Sequence, residues 1–328
     1  MIHAMRQIHI SDKFKSYINK SVITIGNFDG VHRGHLEVFQ QVKRVSNSSG
    51  LPSVVVTFEP HPLTVLTPDS APPLITTFAQ KTALIAAAGI ENLAVIEFDL
   101  PFSRISAESF VLDILCRALG MRHLIIGHDY AFGRDRQGNF ETLSRLGEEH
   151  NFTLEDLEPV GLGETVFSSS LVRRRVSDGD MPGAAEILGR YHTISGRIVH
   201  GREIGVTLGF PTANISTHNK LIPPDGVYAV LAALGGHCFQ GACNIGTSPT
   251  FGVKERTIEV FLFDFSDDIY DREIDICFVQ RLREEKKYPD ARALIQAVTK
   301  DVTEARTILT SIHQSFINPL RCQQSGHF

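Results

Sequence analysis

Several features are missing or scarce in this chain of 328 residues. It has no tryptophan, and its five cysteines are scattered without C-x-x-C spacing, which argues against a structural zinc site. Isolated cysteines in odd number are typical of reduced thiols, so we expect a cytoplasmic protein. No apolar run approaches the roughly 20 residues of a membrane-spanning helix. The N-terminal residues also lack a signal-peptide pattern.

Positive charge is in deficit as well. The chain carries 32 Lys and Arg against 37 Asp and Glu, a formal net charge of −5, which argues against broad, non-specific binding of nucleic acid. Its content of 42% hydrophobic and 21% charged residues predicts a soluble protein with a packed core. We expect small-molecule substrates, no nucleic-acid or membrane partner, and a monomer or weak homo-oligomer.

The first half of the sequence alternates Val- and Ile-rich runs with helical periodicity. This pattern predicts an α/β domain with a parallel sheet covered on both faces. The predicted strands are residues 22–25, 54–58, 93–98 and 124–126, and the predicted helices are residues 35–46, 77–88 and 107–119. In such sheets ligands bind beyond the carboxyl ends of the strands.

The second half is rich in glycine and β-branched residues, and its short strands alternate with turns. This pattern predicts a small antiparallel barrel followed by one terminal helix. The predicted strands are residues 192–199, 227–234, 239–244, 257–263 and 274–283, and the helix runs from 289 to about 313. We place the domain boundary after residue 186, which gives domains 1–186 and 187–328.

The most informative segment is GNFDGVHRGH, which runs from Gly26 to His35 between an apolar strand and an amphipathic helix. A helix N-terminus exposes N–H groups and the positive end of the dipole, and therefore suits phosphate. Gly26, Gly30 and Gly34 allow close approach of a ligand, and His32 and His35 share one helical face. A solvated or capping His pair is the ordinary alternative. The coincidence of glycines, histidines and strand-to-helix context favours phosphate binding, and the run resembles the HxGH signature of nucleotidyltransferases.

The second informative segment of the first half is FSSSLVRRR, residues 167–175. By itself it predicts a serine-capped helix with a basic exposed face. Beside a triphosphate site, the hydroxyls and Arg173, one turn into the helix, can hold a pyrophosphate leaving group as charge builds on it.

Two other segments follow predicted strands, TFEPHP at 57–62 and GHDYAFG at 127–133. His61 between two prolines is either part of a rigid turn or part of a site at the sheet edge. Asp129 and its aromatic neighbours either bind a planar ligand or pack the domain edge. The sequence alone leaves both alternatives open.

In the second half, LGFPTAN at 208–214 and Glu259 carry the candidate chemistry. Thr212 and Asn214 are two apart and would face one side of a strand, and magnesium prefers such oxygen ligands. The ordinary alternative is a β-turn with buried polar groups. Glu259 lies within an apolar strand and is either a general base that takes a hydroxyl proton or a residue of a solvated face. Residues 244–252 are predicted as a loop nearby.

Together these segments resemble the prokaryotic bifunctional riboflavin kinase/FAD synthetase family over roughly residues 15–312. The likeness depends on an ordered set of motifs: GNFDGVHRGH, TFEPHP, GHDYAFG, SSSLVRR, LGFPTAN, NIGTSPTFG, IEVFLFDF and RLREEKKY. The resemblance implies a Rossmann-like nucleotidyltransferase domain followed by a six-stranded antiparallel riboflavin kinase barrel with a terminal helix. It also implies two Mg²⁺-requiring steps with ATP as co-substrate, riboflavin to FMN and FMN to FAD.

The resemblance further implies site residues. Catalytic roles fall on Glu259, His32, His35 and Arg173. ATP and phosphate contacts fall on Gly26, Asn27, Phe28, Gly34, Ser169, Ser170, Gly201, Gly209, Thr212 and Asn214, with Mg²⁺ on the last two. Flavin contacts of the first domain fall on Asp129, Phe58, His61 and Pro62.

The chain departs from the family pattern at a few positions. Ala131 stands where the family often has arginine in DFRFG, Ser170 replaces a threonine, and Val206 stands where a basic or polar residue is common. A kinase whose first domain has lost its activity is therefore one alternative to a bifunctional enzyme. A non-catalytic flavin- or nucleotide-binding regulator is the other, although Glu259, Thr212 and Asn214 are retained.

Overall fold

The computed structural model describes residues 4–11, 15–127, 138–201, 210–250 and 253–312, without the side chains of 248–250 and 253–255. The chain divides into two compact units. The first comprises Met1–Pro73 and Phe78–Ser168, and the second comprises Leu74–Thr77 and Ser169–Phe328. Residues 169–186, which the sequence assigns to the first domain, are thus grouped with the second unit, and the boundary after 186 stays a prediction.

The first unit contains a six-stranded sheet in the order β1-β4-β3-β2-β5-β6, in which every neighbouring pair is parallel. Its strands are β1 (Arg6–Ile10), β2 (Ser21–Ile25), β3 (Ser53–Glu59), β4 (Asn92–Glu97), β5 (Met121–Gly127) and β6 (Thr153–Leu157). The predicted parallel sheet and its four inner strands are confirmed. The two edge strands were missed because they are short and partly exposed, and therefore lack a continuous apolar run.

Helices connect these strands, and a two-stranded hairpin follows them. The helices are α1 (Arg33–Ser49), α2 (Pro62–Leu66), a 3₁₀ turn (Pro68–Ser70), α3 (Phe78–Ala87), α4 (Leu100–Ser103), α5 (Ala107–Ser109), which continues as a π-helix (Phe110–Ala118), and α6 (Phe140–His150). The hairpin is β7 (Gly161–Leu162) and β8 (Thr165–Val166). Buried Val, Ile, Leu and Phe side chains of the sheet pack against the helix at 107–118. This core fixes the strand ends from which the polar segments emerge.

The second unit contains a closed six-stranded barrel in the order β10-β13-β12-β11-β14-β9. Its strands are β9 (His192–Val199), β10 (Ala213–Thr217), β11 (Gly226–Leu234), β12 (His237–Thr250), β13 (Val253–Leu262) and β14 (Glu273–Arg283). Five strands and the closed antiparallel architecture are as predicted. The loop prediction for residues 244–252 is wrong up to residue 250, because β12 continues through Thr250 in register with β13.

In the described part of the second unit, three helices accompany the barrel: α7 (Ser169–Ser177), α8 (Met181–Leu188) and α9 (Ala291–Thr310). Helix α9 packs against the outside of β11, β12 and β14. Its buried Ala305 and Leu309 join a cluster with Ala229, Leu231 and Val279 of the barrel wall. The terminal helix is therefore part of the second unit's core. Among the described residues, no helix is both long and apolar enough to cross a bilayer.

Candidate active sites

The turn after β2 has an unusual backbone. Phe28 and Val31 have φ values of +48° and +40°, and Gly30 has +83°. Positive φ is uncommon for residues other than glycine and costly for a β-branched one, and such conformations concentrate at functional sites. Gly26 is required here, because a Cβ at that position would lie 2.8 Å from the Phe28 ring. The turn is thus held in one compact shape at the carboxyl end of the sheet.

The two histidines meet at the start of α1. His32 is the N-cap residue and is 6% exposed. The rings of His32 and His35 stack with centroids 3.6 Å apart, and the His32 backbone N–H donates to His35 Nδ1 at 3.3 Å. Because Nδ1 accepts this bond, the proton of a neutral His35 ring sits on Nε2. A Cβ on Gly34 would press within 3.1 Å of the His32 ring, so glycine there permits the stack.

Sequence reasoning missed Lys81, a residue of α3 that lies beneath the same turn. Its ammonium is 3.4 Å from the Asn27 carbonyl oxygen, 3.3 Å from Thr57 Oγ1 and 3.3 Å from the Phe58 carbonyl oxygen. Burial lowers the pKa of Lys81, and the carboxylates of Glu59, 3.8 Å away, and Asp29 oppose that shift. The available signal was a single cation inside the apolar helix FAQKTALIAA.

The segment after β3 is shaped by caps and packing. The Glu59–Pro60 peptide bond is cis. His61 is buried and caps α2, with Nδ1 accepting the Leu63 N–H at 3.2 Å, and Pro62 opens that helix. Phe58 packs in an aromatic cluster with Phe98, Phe102 and Phe110. Flavin contacts of these residues stay predictions, and Asp129 lies outside the described part of the chain.

The serine–arginine segment forms the start of α7, as predicted. Ser170 is exposed, and Ser169 and Arg173 are half-buried. These residues belong to the second unit, whereas the preceding Phe167 belongs to the first, where the Arg33 guanidinium lies over its ring at 5.3 Å. The joint action of Arg173 and the histidine pair on one ligand stays a prediction.

In the barrel, Glu259 occupies the centre of a polar row. In the strand ladders Asn214 of β10 and Asn244 of β12 both pair with Glu259 of β13. Directly opposed residues of antiparallel strands point to the same face, with Cβ atoms about 4.5–5.5 Å apart. Ile258 and Val260, which alternate with Glu259, are buried. Asn244 is thus a neighbour of Glu259. The sequence placed Asn244 where a predicted strand meets a predicted loop and did not single it out as a site residue.

The outward face that bears Glu259 is covered by helix α9 rather than by solvent. A cavity of about 310 Å³ lies between the barrel wall and the helix. Thr212, Asn244 and Glu259 line one part of it, and the apolar side of α9 lines another through Leu294, Val298 and Val302. A planar ligand with one polar end fits such a mixed lining.

An ion pair fastens α9 to the barrel at this cavity. Arg283 Nη2 lies 2.7 Å from Asp301 Oδ2, and Nε lies 3.0 and 3.1 Å from the two carboxylate oxygens. The Asp301 side chain is only 8% exposed, and Arg283 also lies over the Tyr288 ring. This forked contact sets the distance between the two cavity walls.

A second cavity of about 260 Å³ lies on the other side of Thr212. It is bordered by Pro211, Asp268 and Tyr270 among others. Gly201 packs so closely on the Asn214 amide that a Cβ would overlap it. Thr212 therefore separates two cavities, with Asn214 two residues away. Gly209 is outside the described residues.

Cys243 also lines the cavity beneath α9. It is fully buried, and burial together with the neighbouring Glu259 raises the pKa of its thiol. The neutral thiol is a poor nucleophile. Glu259 lines the same cavity, and its role as the general base stays a prediction.

Comparison with known proteins gives matches over both units. Residues 14–171 match the family model of FAD synthetase, and residues 188–309 match that of riboflavin kinase. A bifunctional riboflavin kinase/FMN adenylyltransferase of Pseudomonas fluorescens is 38% identical over 88% of this chain and 92% of its own length. Its counterpart in Escherichia coli K12 is 36% identical over 87% of this chain and 91% of its own length.

A solved structure also matches nearly the whole chain. The crystal structure described as a macrolide-efflux protein from Streptococcus pneumoniae superimposes with a TM-score of 0.84 and 28% identity. The match covers 92% of this chain and 98% of that one. The combination of a parallel-sheet unit and a barrel unit is thus found in a single experimentally determined chain.

Proposed function

The chain belongs to the family of bifunctional riboflavin kinases/FMN adenylyltransferases, and from that premise we propose which of its residues carry out each reaction. The protein phosphorylates riboflavin to FMN and adenylylates FMN to FAD, with ATP as co-substrate in both steps. The barrel unit performs the first reaction and the parallel-sheet unit performs the second. The row formed by Asn214, Glu259 and Asn244 carries the assignment for the kinase.

In the kinase reaction, riboflavin occupies the cavity beneath α9 and ATP reaches the Thr212 side of the wall. Glu259 takes the proton of the ribityl hydroxyl. The hydroxyl oxygen bonds to the γ-phosphorus of ATP, and the bond to the β,γ-bridging oxygen breaks to leave ADP. Support comes from the position of Glu259 at a cavity whose other wall is apolar.

Thr212 and Asn214 would hold Mg²⁺ at this wall. Their hydroxyl and amide oxygens are the ligand type that Mg²⁺ prefers, and the ion usually completes its shell with water and substrate phosphate. A Cβ on residue 201 would overlap the Asn214 amide. Glycine at this position therefore keeps the space beside the amide open for a small ligand. The ion, when bound, neutralises charge on the transferring phosphate.

In the adenylyl transfer, an FMN phosphate oxygen attacks the α-phosphorus of ATP and pyrophosphate leaves. His32 and His35 donate to the phosphates, and Gly26, Asn27, Phe28 and Gly34 shape the turn that receives them. Ser169, Ser170 and Arg173 steady the leaving pyrophosphate. No covalent enzyme intermediate is needed, because positioning and charge stabilisation suffice.

A chromatographic time course of riboflavin, FMN and FAD with purified protein, ATP and Mg²⁺ tests these assignments. We expect FMN to rise first and FAD to follow. Supplying FMN directly separates the second reaction from the first. Accumulation of FMN alone would show that the first unit is inactive, with Ala131 as the first position to restore to arginine.

We also propose that the protein works in the cytoplasm as a monomer or weak homo-oligomer, without nucleic-acid or membrane partners. Supporting features are the net charge of −5 and the free thiols of Cys116, Cys238, Cys243 and Cys277. Light scattering during size-exclusion chromatography tests the oligomeric state. A stable dimer or larger assembly at micromolar concentration would contradict it.

A further inference from the structure

A buried ammonium group in the first unit has no part in the reactions described above. Lys81 is 6% exposed, and lysine is almost never buried to this extent unless it is paired. Helix α3 supplies it from below the carboxyl ends of β2 and β3, next to the left-handed turn that precedes His32. A buried cation at such a place is costly, because its charge loses the solvation of water.

The contacts of Lys81 join three separate pieces of backbone and side chain. One is the Asn27 carbonyl, inside the turn, and the others are Thr57 Oγ1 and the Phe58 carbonyl at the end of β3. An ammonium has three N–H donors, which matches these three acceptors in number. Thr57 Oγ1 itself donates to the Asn27 carbonyl at 3.3 Å, so both side chains converge on one oxygen of the turn.

The point of attachment is the peptide before Phe28, the first residue with a left-handed backbone. Residues keep such conformations only where contacts with the surrounding structure hold them there. Loss of the contact would let the turn relax, and displacement of a phosphate-binding turn by about 1 Å costs roughly a hundredfold in a reaction that depends on position. The charge of Lys81 also favours an anionic ligand at the turn, aided by the low dielectric around it.

We propose that Lys81 is a positioning residue for the adenylyl transfer, which locks the turn between Gly26 and Val31 in its phosphate-binding shape and adds positive charge beneath it. This inference depends on the proposed role of the histidine turn. It assigns to α3, an element without a recognised motif, an effect on ATP binding that is transmitted through the turn.

The test compares three single variants of the full-length protein. K81M keeps an unbranched side chain one atom shorter than lysine and removes the charge and the donors. T57V replaces the Thr57 hydroxyl by a methyl group, which removes one of the two donors to the Asn27 carbonyl and one acceptor of Lys81. T82V is the matched control on the same helix, because Thr82 Oγ1 has no hydrogen-bond partner among the described residues and the change keeps its shape.

Steady-state kinetics of FAD formation from FMN and ATP are measured at a temperature well below unfolding, with riboflavin kinase activity assayed in the same preparations. We expect K81M to lower kcat about tenfold and to raise the KM for ATP about fivefold. T57V should show smaller changes in the same direction, and T82V none. Kinase activity should stay within a factor of two in all three.

The KM for ATP separates positioning from mere destabilisation, since a smaller folded fraction lowers the rate without changing KM. An unchanged KM with a rate loss equal to the loss of folded protein would overturn the proposal, as would parental kinetics in K81M. Wild-type protein that forms no FAD at all would instead show that the first unit is inactive, which contradicts the proposed function rather than the role of Lys81. The wild-type assay therefore comes first.

Discussion

The two candidate sites are constructed in different ways. The site of the first unit is a turn after a parallel strand, with left-handed residues above a buried cation and two stacked histidines at the helix start. The site of the second unit is a row of side chains in strand register, facing a cavity that a helix closes. The first site depends on the backbone conformation of one turn, whereas the second depends on the register in which the strands pair.

This difference matches the chemistry of the two reactions. Adenylyl transfer to an FMN phosphate begins from an ionised nucleophile, so the enzyme needs donors and positive charge around phosphates rather than a base. Phosphorylation of a hydroxyl begins from a neutral nucleophile, so a carboxylate beside it is needed. His32 and His35 suit the first demand, and Glu259 suits the second.

The largest difference between the effects on the two activities is expected from E259Q. Removal of the carboxylate should lower the rate of FMN formation about 10²–10⁴-fold, the usual contribution of a general base. FAD formation from supplied FMN should stay close to the parental rate, because the amide keeps the shape of the barrel wall. Parallel assays of both products from the same preparation give the measurement. Equal loss of both activities would contradict the separation.

The reciprocal change is the double variant H32A/H35A. FAD formation should fall about 10²–10³-fold, as expected for the removal of preorganised donors from charge that develops on phosphate. The kinase should be spared, since neither histidine belongs to the barrel unit. The same pair of assays applies, with Tm as a check on folding. FAD synthesis at the parental rate would show that the two histidines do not stabilise the phosphates.

A change of stability rather than chemistry is expected from D301N. The amide cannot balance the Arg283 guanidinium, and breaking a largely buried pair costs about 3 kcal/mol. The urea midpoint for loss of kinase activity should fall, and the KM for riboflavin should rise as α9 loosens. D264N, which breaks an exposed pair with Arg306 on the same helix, is the control and should have little effect. Identical midpoints in the two variants would show that the buried pair does not hold the helix.

The smallest expected effect is a pH dependence confined to the barrel unit. His192 is buried and donates from Nε2 to the Leu221 carbonyl at 3.0 Å. Burial lowers the pKa of His192 to about 4, from 6.5 in the unfolded chain, and Arg190 adds to that shift. Between these values the unfolded chain binds a proton that the folded unit excludes, so this group destabilises the fold as pH falls from 6.5 towards 4.

Urea midpoints at pH 7, 6 and 5 measure this dependence, with loss of kinase activity and loss of FAD synthesis as two separate readouts of unfolding. The midpoint for the kinase should decline through this range, and H192Q should flatten the decline. A slope that H192Q leaves unchanged would assign the pH dependence to other groups.

Much of this organisation could be predicted from the sequence, for reasons that differ between the units. Alternation along β13 predicts that Glu259 lies on the face opposite the buried Ile258 and Val260, as the structure shows, because strand periodicity is local information. It could not show that α9 covers that face, since the contact joins segments far apart in the chain. Lys81 was missed for a related reason: two of its three acceptors are carbonyl groups, which no motif records. Strand β10 was missed as an element because only Ala213 and Ile215 of its five residues are buried.

The cavity beneath α9 also bears on the order in which this protein matures. The chain is made from its N-terminus, so the turn from Gly26 to His35 emerges from the ribosome long before Ala291. The cavity beneath α9, in contrast, has no outer wall until α9 has been synthesised and Asp301 can reach Arg283. A chain interrupted during translation before residue 291 would carry the complete adenylylation turn but an open kinase pocket. If riboflavin binds in this cavity as proposed, kinase competence requires synthesis of the chain through α9.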